Sequence, residues 1–192
     1  MGRSGETTHA RILAEAYRLF YRRGYMRVSI DAVAEAAGVT KRTVYQHFES
    51  KDALVGALLS AQEADALALI SDWGSEAASE AELVANIFGG LNRWASRPHW
   101  LGSGYTRLAM ELADLPGHPA RRIARRHKRA VEDWLTTRLT ALDCPTPAER
   151  SRELMLLIEG ALSLTLIHGD RDYATAAQRA AERLAAAHVA TS

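Results

Sequence analysis

The residue types and spacing that point most clearly to a chemistry lie near the N-terminus, in the run Thr40, Lys41, Arg42 and Thr43. Gln46 follows within one helical turn. Cationic, hydroxyl and amide side chains at the start of a helix donate hydrogen bonds to phosphates and to the edges of bases. The neighbouring side chains that would lie beside phosphates are Tyr45, His47 and Lys51. This pattern predicts contact with a nucleic acid.

Two short predicted helices position this run. Ser29 caps the first helix, which ends at Gly38. Thr40 caps the second helix, which is about two turns long and ends near His47. A supporting helix, a tight turn containing glycine and a second helix form a helix-turn-helix, in which the second helix enters the major groove of DNA. The predicted motif spans about residues 29–48.

The apolar residues of the motif fall on the side opposite the basic run. Val39, Val44 and Phe48 are five and four residues apart, so they can face inward. Their expected packing partners are Ile30 and Val33. A charged helix face that is merely solvated is the alternative interpretation. The coincidence of the caps, the turn and the outward basic residues favours contact with a nucleic acid.

Helical periodicity continues along the whole chain, and glycine and proline fall between the periodic segments. We therefore predict an all-α fold with about nine helices and no strand. One long helix over residues 51–73 is expected to join the N-terminal motif to the rest. The other predicted helices outside the motif cover about residues 7–23, 79–97, 104–115, 119–142, 146–168 and 172–188.

Charge is unevenly distributed over the 192 residues. Residues 1–60 hold nine Lys or Arg against six Asp or Glu, whereas the remaining residues hold 15 against 17. A basic head joined to an acidic body is a weak indication of a polyanionic partner. Cys144 is the only cysteine, which excludes an internal disulfide and fits the cytoplasm. The longest apolar stretch, residues 154–167, is interrupted by Glu159 and is too short to span a bilayer.

Residues 29–54, which read SIDAVAEAAGVTKRTVYQHFESKDAL, resemble the signature of TetR-type transcriptional regulators. The preceding residues that also match this family are Ala16, Phe20, Gly24, Tyr25 and Val28. The resemblance implies that Ser29 and Thr40 hydrogen-bond to phosphates. It implies that Lys41, Arg42 and Thr43 reach base edges. The residues that it assigns to the DNA backbone are Tyr45, His47 and Lys51. Arg42 stands where many members carry glycine, so their operator preference does not transfer to this chain.

The resemblance also implies an organisation into a DNA-binding head, residues 5–65, and a helical effector-binding and dimerisation domain, residues 66–192. The expected function is that of a ligand-responsive repressor that binds double-stranded operator DNA as a homodimer in the cytoplasm. Its expected effector is an unidentified small molecule, and no cofactor, metal or membrane is expected. Two alternatives stay open, a helical enzyme with a decoy N-terminal motif and a non-specific structural DNA-binding protein. Residues 70–190 show no catalytic spacing, and a weakly basic head suits general DNA binding poorly.

Apolar stripes in the last two long helices, together with the resemblance, predict a dimer interface. Small residues along these stripes allow two helices to approach closely. The predicted interface residues are Leu157, Ala161, Leu164, Ala177, Ala181 and Leu184. An intramolecular core is the alternative. The helix-turn-helix favours the dimer, because such modules usually bind two half-sites.

A ligand cavity in the larger domain is a further implication of the resemblance. The candidate lining residues are Trp94, His99, Trp100, Tyr105, Met110, Trp134 and Glu159. Core packing is the alternative for each tryptophan. Glu159 lies in an otherwise apolar helix, where it can pair with an arginine across the dimer, bind a polar ligand group or point to water. The arginines at positions 121, 122, 125, 126 and 129 are predicted to form a solvated face.

Overall fold

The computed structural model describes residues 3–189, with side chains from residue 5 to residue 186. The described residues contain no strand, and the predicted all-α fold class is confirmed. Their ten helices are α1 (Arg3–Arg23), α2 (Ile30–Ala36), α3 (Lys41–His47), α4 (Lys51–Ala61), α5 (Glu63–Gly74), α6 (Glu80–Ala95), α7 (Gly104–Glu111), α8 (Pro119–Ala141), α9 (Pro147–His168) and α10 (Asp172–Val189). The predicted number is low by one, because the helix expected over residues 51–73 is divided into α4 and α5.

The break between α4 and α5 lies at Gln62. α4 buries Leu54 and Leu58 close to the N-terminal motif, whereas α5 packs Ile70 and Trp73 against a separate core. The two halves therefore contribute to two different cores. No glycine or proline marks this position, so the chain carries no local stop signal there. The helix expected over residues 51–73 is thus interrupted at Gln62.

The helices group into two compact units. The first contains residues 1–63 and 103–126, and the second contains residues 64–102 and 127–192. α7 and the beginning of α8 therefore belong with the N-terminal motif, whereas the sequence-based division was into residues 5–65 and 66–192. Residues 190–192 of the expected second domain lie outside the described part of the chain.

The core of the first unit holds the two short helices of the motif. Val33 and Val44 are fully buried, and Ile30 and Phe48 are nearly so, as their spacing predicts. Val39 is only half-buried. The side chains of α1 that are buried in the same unit are Ile12, Ala16, Leu19 and Phe20. Burial of these apolar faces fixes which side of α3 remains free.

The ends of the helices follow the local signals in most places. The N-caps confirmed by a side-chain hydrogen bond to the helix backbone are Ser29, Thr40, Ser50 and Ser79. Gly24 and Gly169 adopt the left-handed conformation, with φ of 83° and 68°, where glycine closes α1 and α9 without strain. Thr146, the residue before α9, makes no side-chain hydrogen bond that caps the helix.

The second unit is built around α6, α9 and α10, with a core rich in leucine and alanine. Arg150 of α9 lies within it, with 2% of its side chain exposed. Its Nε lies 2.9 Å from Oε1 of Glu80 in α6, and its Nη2 donates to the carbonyl of Leu184 in α10 at 2.7 Å. Glu153 provides a second carboxylate at 3.2 Å from Nη1. One buried cation therefore joins three helices.

One segment is long and apolar enough to cross a membrane by length and composition, although no membrane segment is expected from the sequence. It covers Lys51–Gly74, 24 residues, with a mean hydropathy of 1.5. Glu63 and Asp65 lie near its middle, where a bilayer penalises charge most strongly. Leu54 and Leu58 are buried in the first unit, and 28% of the apolar window is buried. One such segment does not by itself establish a membrane span.

Candidate nucleic-acid interface

The free face of α3 carries polar and cationic side chains. Lys41, Arg42, Tyr45 and Gln46 are exposed, whereas Val44 on the opposite face is fully buried. The fold therefore presents the residues that the sequence predicted for DNA contact and holds them on a packed support. A helix of this width and polarity fits the major groove of B-DNA.

The hydroxyl groups of the residues that cap α2 and α3 stabilise the helix starts and can also donate a hydrogen bond. Ser29 Oγ accepts the amide of Ala32 at 3.1 Å, and Thr40 Oγ1 accepts the amide of Thr43 at 3.1 Å. A hydroxyl that accepts in this way retains its own proton for donation. The hydroxyls of Thr40 and Thr43 are also 2.8 Å apart. Thr43 is half-buried, so base contact by its side chain competes with this local hydrogen bond.

Lys41 and Arg42 differ in their surroundings. Lys41 Nζ lies 2.8 Å from Oδ2 of Asp31 in α2, and this hydrogen bond raises the pKa of Lys41. Lys41 is therefore charged, and its ammonium must leave the carboxylate of Asp31 before it can contact DNA. Arg42 extends from the exposed face one residue later, and its planar guanidinium can bond two acceptors of guanine at once. Sequence reasoning missed Asp31 as the partner of Lys41.

The remaining predicted contacts lie at the edges of α3. His47 is half-buried and makes an edge contact with His9, with ring centroids 5.7 Å apart. His9 in turn stacks on Phe48 at 4.7 Å. Lys51 lies at the start of α4, and its Nζ is 4.0 Å from the centroid of the Tyr25 ring. Burial lowers the pKa of Lys51.

Comparisons with known proteins agree with this geometry. The family model described as bacterial regulatory proteins, tetR family, matches residues 12–58. Residues 12–58, which contain the helix-turn-helix, are therefore similar to this family. The HTH-type transcriptional regulator TtgR of Pseudomonas putida is 46% identical over 54 residues, which cover 28% of this chain and 26% of TtgR. The chain thus matches about a quarter of the length of this relative.

Other transcriptional regulators match over almost the whole length. The HTH-type transcriptional regulator YjdC of Escherichia coli is 24% identical over 173 residues, covering 89% of this chain and 90% of YjdC. A solved TetR-type regulator from Streptomyces avermitilis has a TM-score of 0.76 and 29% identity. That match covers 91% of this chain and 98% of the other. These relatives are named as transcriptional regulators and not as enzymes.

The residues predicted to line a ligand cavity are divided between the two units. Tyr105 is buried in the first unit and donates to the carbonyl of Leu59 at 2.9 Å, and Met110 of the same unit is exposed. Trp94 and Trp100 of the second unit meet edge to face at 5.6 Å. Of the other candidates in the second unit, His99 is exposed, and Trp134 and Glu159 are half-buried.

Some of the charged side chains that the sequence singled out in α8 and α9 have partners within the chain. Glu159 forms an ion pair with Lys128 of α8. Of the arginine run on α8, Arg126 pairs with Glu63 and Arg121 donates to the carbonyl of Ala113 at 2.8 Å. The other arginines of the run are exposed.

Cys144 is buried, and burial raises the pKa of its thiol, which disfavours the reactive thiolate.

The predicted dimer residues fall into two groups. Ala161, Ala177 and Ala181 are buried in the core that α9 and α10 form within one chain, as the alternative of an intramolecular core expects. Their small size serves the close packing of these two helices. The members that keep access to solvent are Leu157, Leu164 and Leu184.

Proposed function

We propose that this protein is a DNA-binding transcriptional regulator of the TetR family, a ligand-responsive repressor that binds a palindromic operator as a homodimer in the cytoplasm. The observation that carries the proposal is the exposed polar face of α3, with Arg42 and Gln46, on a buried helix-turn-helix core. This arrangement supports base reading by α3 and phosphate contacts by the residues around it.

A footprint on genomic DNA tests the proposal. The purified protein is incubated with the intergenic DNA beside its own gene and a divergent neighbour, and protected positions are mapped. We expect a protected inverted repeat, and we expect transcription of the neighbour to rise when the gene is deleted. Absence of protection at every salt concentration that allows binding would contradict the proposal.

An exposed apolar stripe on α9 supports the homodimer. Leu156 and Ile167 are 75% and 72% exposed, and Leu164 lies between them on the same side. A Cβ built at Gly160, in the middle of the stripe, meets no atom within 4 Å. Large apolar side chains at helical spacing on one surface are characteristic of a contact with a partner. A second copy of this chain is the partner that two operator half-sites require.

The first prediction concerns base reading by Arg42. Arg42→Ala should weaken operator binding by about 1–3 kcal/mol and relax the preference at one position of each half-site, because a bidentate base contact is lost. Binding to a set of operators with single substitutions measures both effects. Arg179→Ala, which removes an exposed arginine of α10, is the charge-matched control. An Arg42→Ala protein with unchanged affinity and selectivity would show that Arg42 does not contact a base.

The second prediction concerns the phosphate contact of Lys51. Lys51→Ala should weaken binding to all DNA sequences nearly equally and reduce the slope of log K against log salt by about one. Lys51→Arg should keep the slope because it keeps the charge. Titrations at four salt concentrations measure this slope. An unchanged slope for Lys51→Ala would show that Lys51 of the wild-type protein does not contact a phosphate and stays on the Tyr25 ring in the DNA complex.

A further inference from the structure

Two charged side chains of α7 contact the backbone at the end of α1. Arg107 Nη1 donates to the carbonyl of Tyr21 at 2.7 Å. The carboxylate of Glu111 accepts the amides of Tyr25 and Met26 at 2.9 and 2.8 Å. Arg107 and Glu111 are four residues apart, so both lie on one face of α7. We name this pair the α7 clamp.

The charges of the α7 clamp match the backbone groups that they meet. The last carbonyls of a helix lack intrahelical donors and carry the negative end of the helix dipole, and Arg107 supplies a cationic donor there. The amides that follow Gly24 point out of the turn, and one carboxylate accepts two of them. The guanidinium of Arg107 also lies 5.6 Å from the centroid of the Tyr21 ring.

The approach of Glu111 to the turn is close. Gly24 has a φ of +83°, and a Cβ built on it would lie 3.0 Å from Oε1 of Glu111. The turn therefore has room for the carboxylate because residue 24 has no side chain. Both the backbone conformation and the contact with α7 depend on glycine at this position.

The clamped turn leads directly into the helix-turn-helix. Ser29, the cap of α2, follows the turn, and the amide of Val28 donates to the carbonyl of Tyr25 at 3.3 Å. The hydroxyl of Tyr25 donates to Asp52 in the first turn of α4. α7 thus holds a segment that touches both the start of the motif and the helix that follows it.

We propose that Arg107 and Glu111 are positioning residues of the DNA-binding head, and that loss of their contacts lowers operator affinity by releasing the turn between α1 and α2. This proposal rests on the proposed function and names residues outside the motif on which operator binding depends. The family model match ends at residue 58, so α7 lies outside it.

A loss of positioning and a general change in charge should alter operator affinity in opposite directions. Removing a carboxylate from a protein that binds DNA reduces repulsion and by itself strengthens binding to every sequence. If the α7 clamp positions the head, removal of the Glu111 carboxylate should instead weaken operator binding, since a released turn no longer holds α2 and α3 in place. Glutamine at position 111 keeps one good acceptor, and alanine keeps none, so the two variants should form a graded series.

The test compares Glu111→Gln, Glu111→Ala and Arg107→Met with the wild-type protein. Operator DNA is selected from random duplex DNA with the wild-type protein, and affinities for this operator and for random-sequence DNA are measured at several salt concentrations. Amide hydrogen exchange at Tyr25 and Met26 reports on the clamp directly. Glu35→Gln, which neutralises an exposed carboxylate of α2, is the matched control.

We expect Glu111→Gln to weaken operator binding by about 5- to 10-fold and Glu111→Ala by more, with an unchanged salt slope and no loss of affinity for random DNA. The amides of Tyr25 and Met26 should exchange faster in both variants. Glu35→Gln should leave their exchange unchanged and should bind the operator at least as tightly as the wild type does. Operator affinity equal to or above that of the wild type in both Glu111 variants would overturn the proposal. Unchanged exchange at the two amides would overturn it as well. Failure of the wild-type protein to select any operator would instead refute the proposed function, and amide exchange would still decide whether the clamp exists.

Discussion

Ile167→Glu should convert the protein from a dimer to a monomer and reduce its affinity for a palindromic operator by about 10²- to 10⁴-fold, the gain that two linked binding modules usually provide. Ile167 is largely exposed at the end of the apolar stripe on α9. A carboxylate buried against a second copy would lose its hydration without gaining a partner. Sedimentation and operator titration of the same preparation measure the two effects.

A matched control separates dimer loss from loss of folding. Ala85→Glu places the same charge on the exposed side of α6 and should leave both dimer and operator affinity intact. Ala161→Glu provides a second comparison, because Ala161 is buried in the core of the second unit and its substitution should unfold the chain. An Ile167→Glu protein that stays dimeric and binds normally would place the interface on another surface.

Arg150→Ala should lower the free energy of unfolding by about 3–5 kcal/mol, the usual cost of breaking a buried ion pair from one side. The substitution leaves the largely buried carboxylate of Glu80 without its cation and the carbonyl of Leu184 without a donor. It also opens a void between three helices. Urea unfolding followed by far-UV circular dichroism measures the change through the transition midpoint.

The exposed ion pair of Arg152 with Glu132 provides the comparison. Arg152 is 76% exposed, so Arg152→Ala should change stability by about 0–1 kcal/mol. Arg150→Met combined with Glu80→Gln should recover part of the loss, because an uncharged pair carries a smaller desolvation cost. Equal midpoints for Arg150→Ala and Arg152→Ala would show that the buried arginine does not stabilise the second unit.

The features that the sequence predicted well are those determined by neighbouring residues. The caps at Ser29 and Thr40 and the glycine at the end of α1 depend on three or four adjacent positions, and the structure confirms them. The burial of Val44 follows from helical periodicity, which also leaves Lys41 and Arg42 on the exposed side. Local chemistry was sufficient for the helix-turn-helix.

The features that the sequence did not predict depend on contacts between distant positions. Glu111 meets Tyr25 from 86 residues away, and no local pattern indicates this pairing. Ala177 and Ala181 lie on a small-residue stripe that fits a core within one chain as well as a contact between two chains, and only the packing of α9 on α10 decides between them. The break at Gln62 arises because α4 and α5 join different cores, which the periodicity of either helix does not reveal.

Selection of binding sites from random duplex DNA tests the central claim most directly. The wild-type protein should enrich an inverted repeat whose half-sites are centred about 10 base pairs, or a multiple of that distance, apart. A parallel selection with the Arg42→Ala protein should enrich the same repeat, but with reduced base preference at one position of each half-site. Retention of DNA without enrichment of any sequence would contradict base reading by α3 and would indicate a non-specific DNA-binding protein instead.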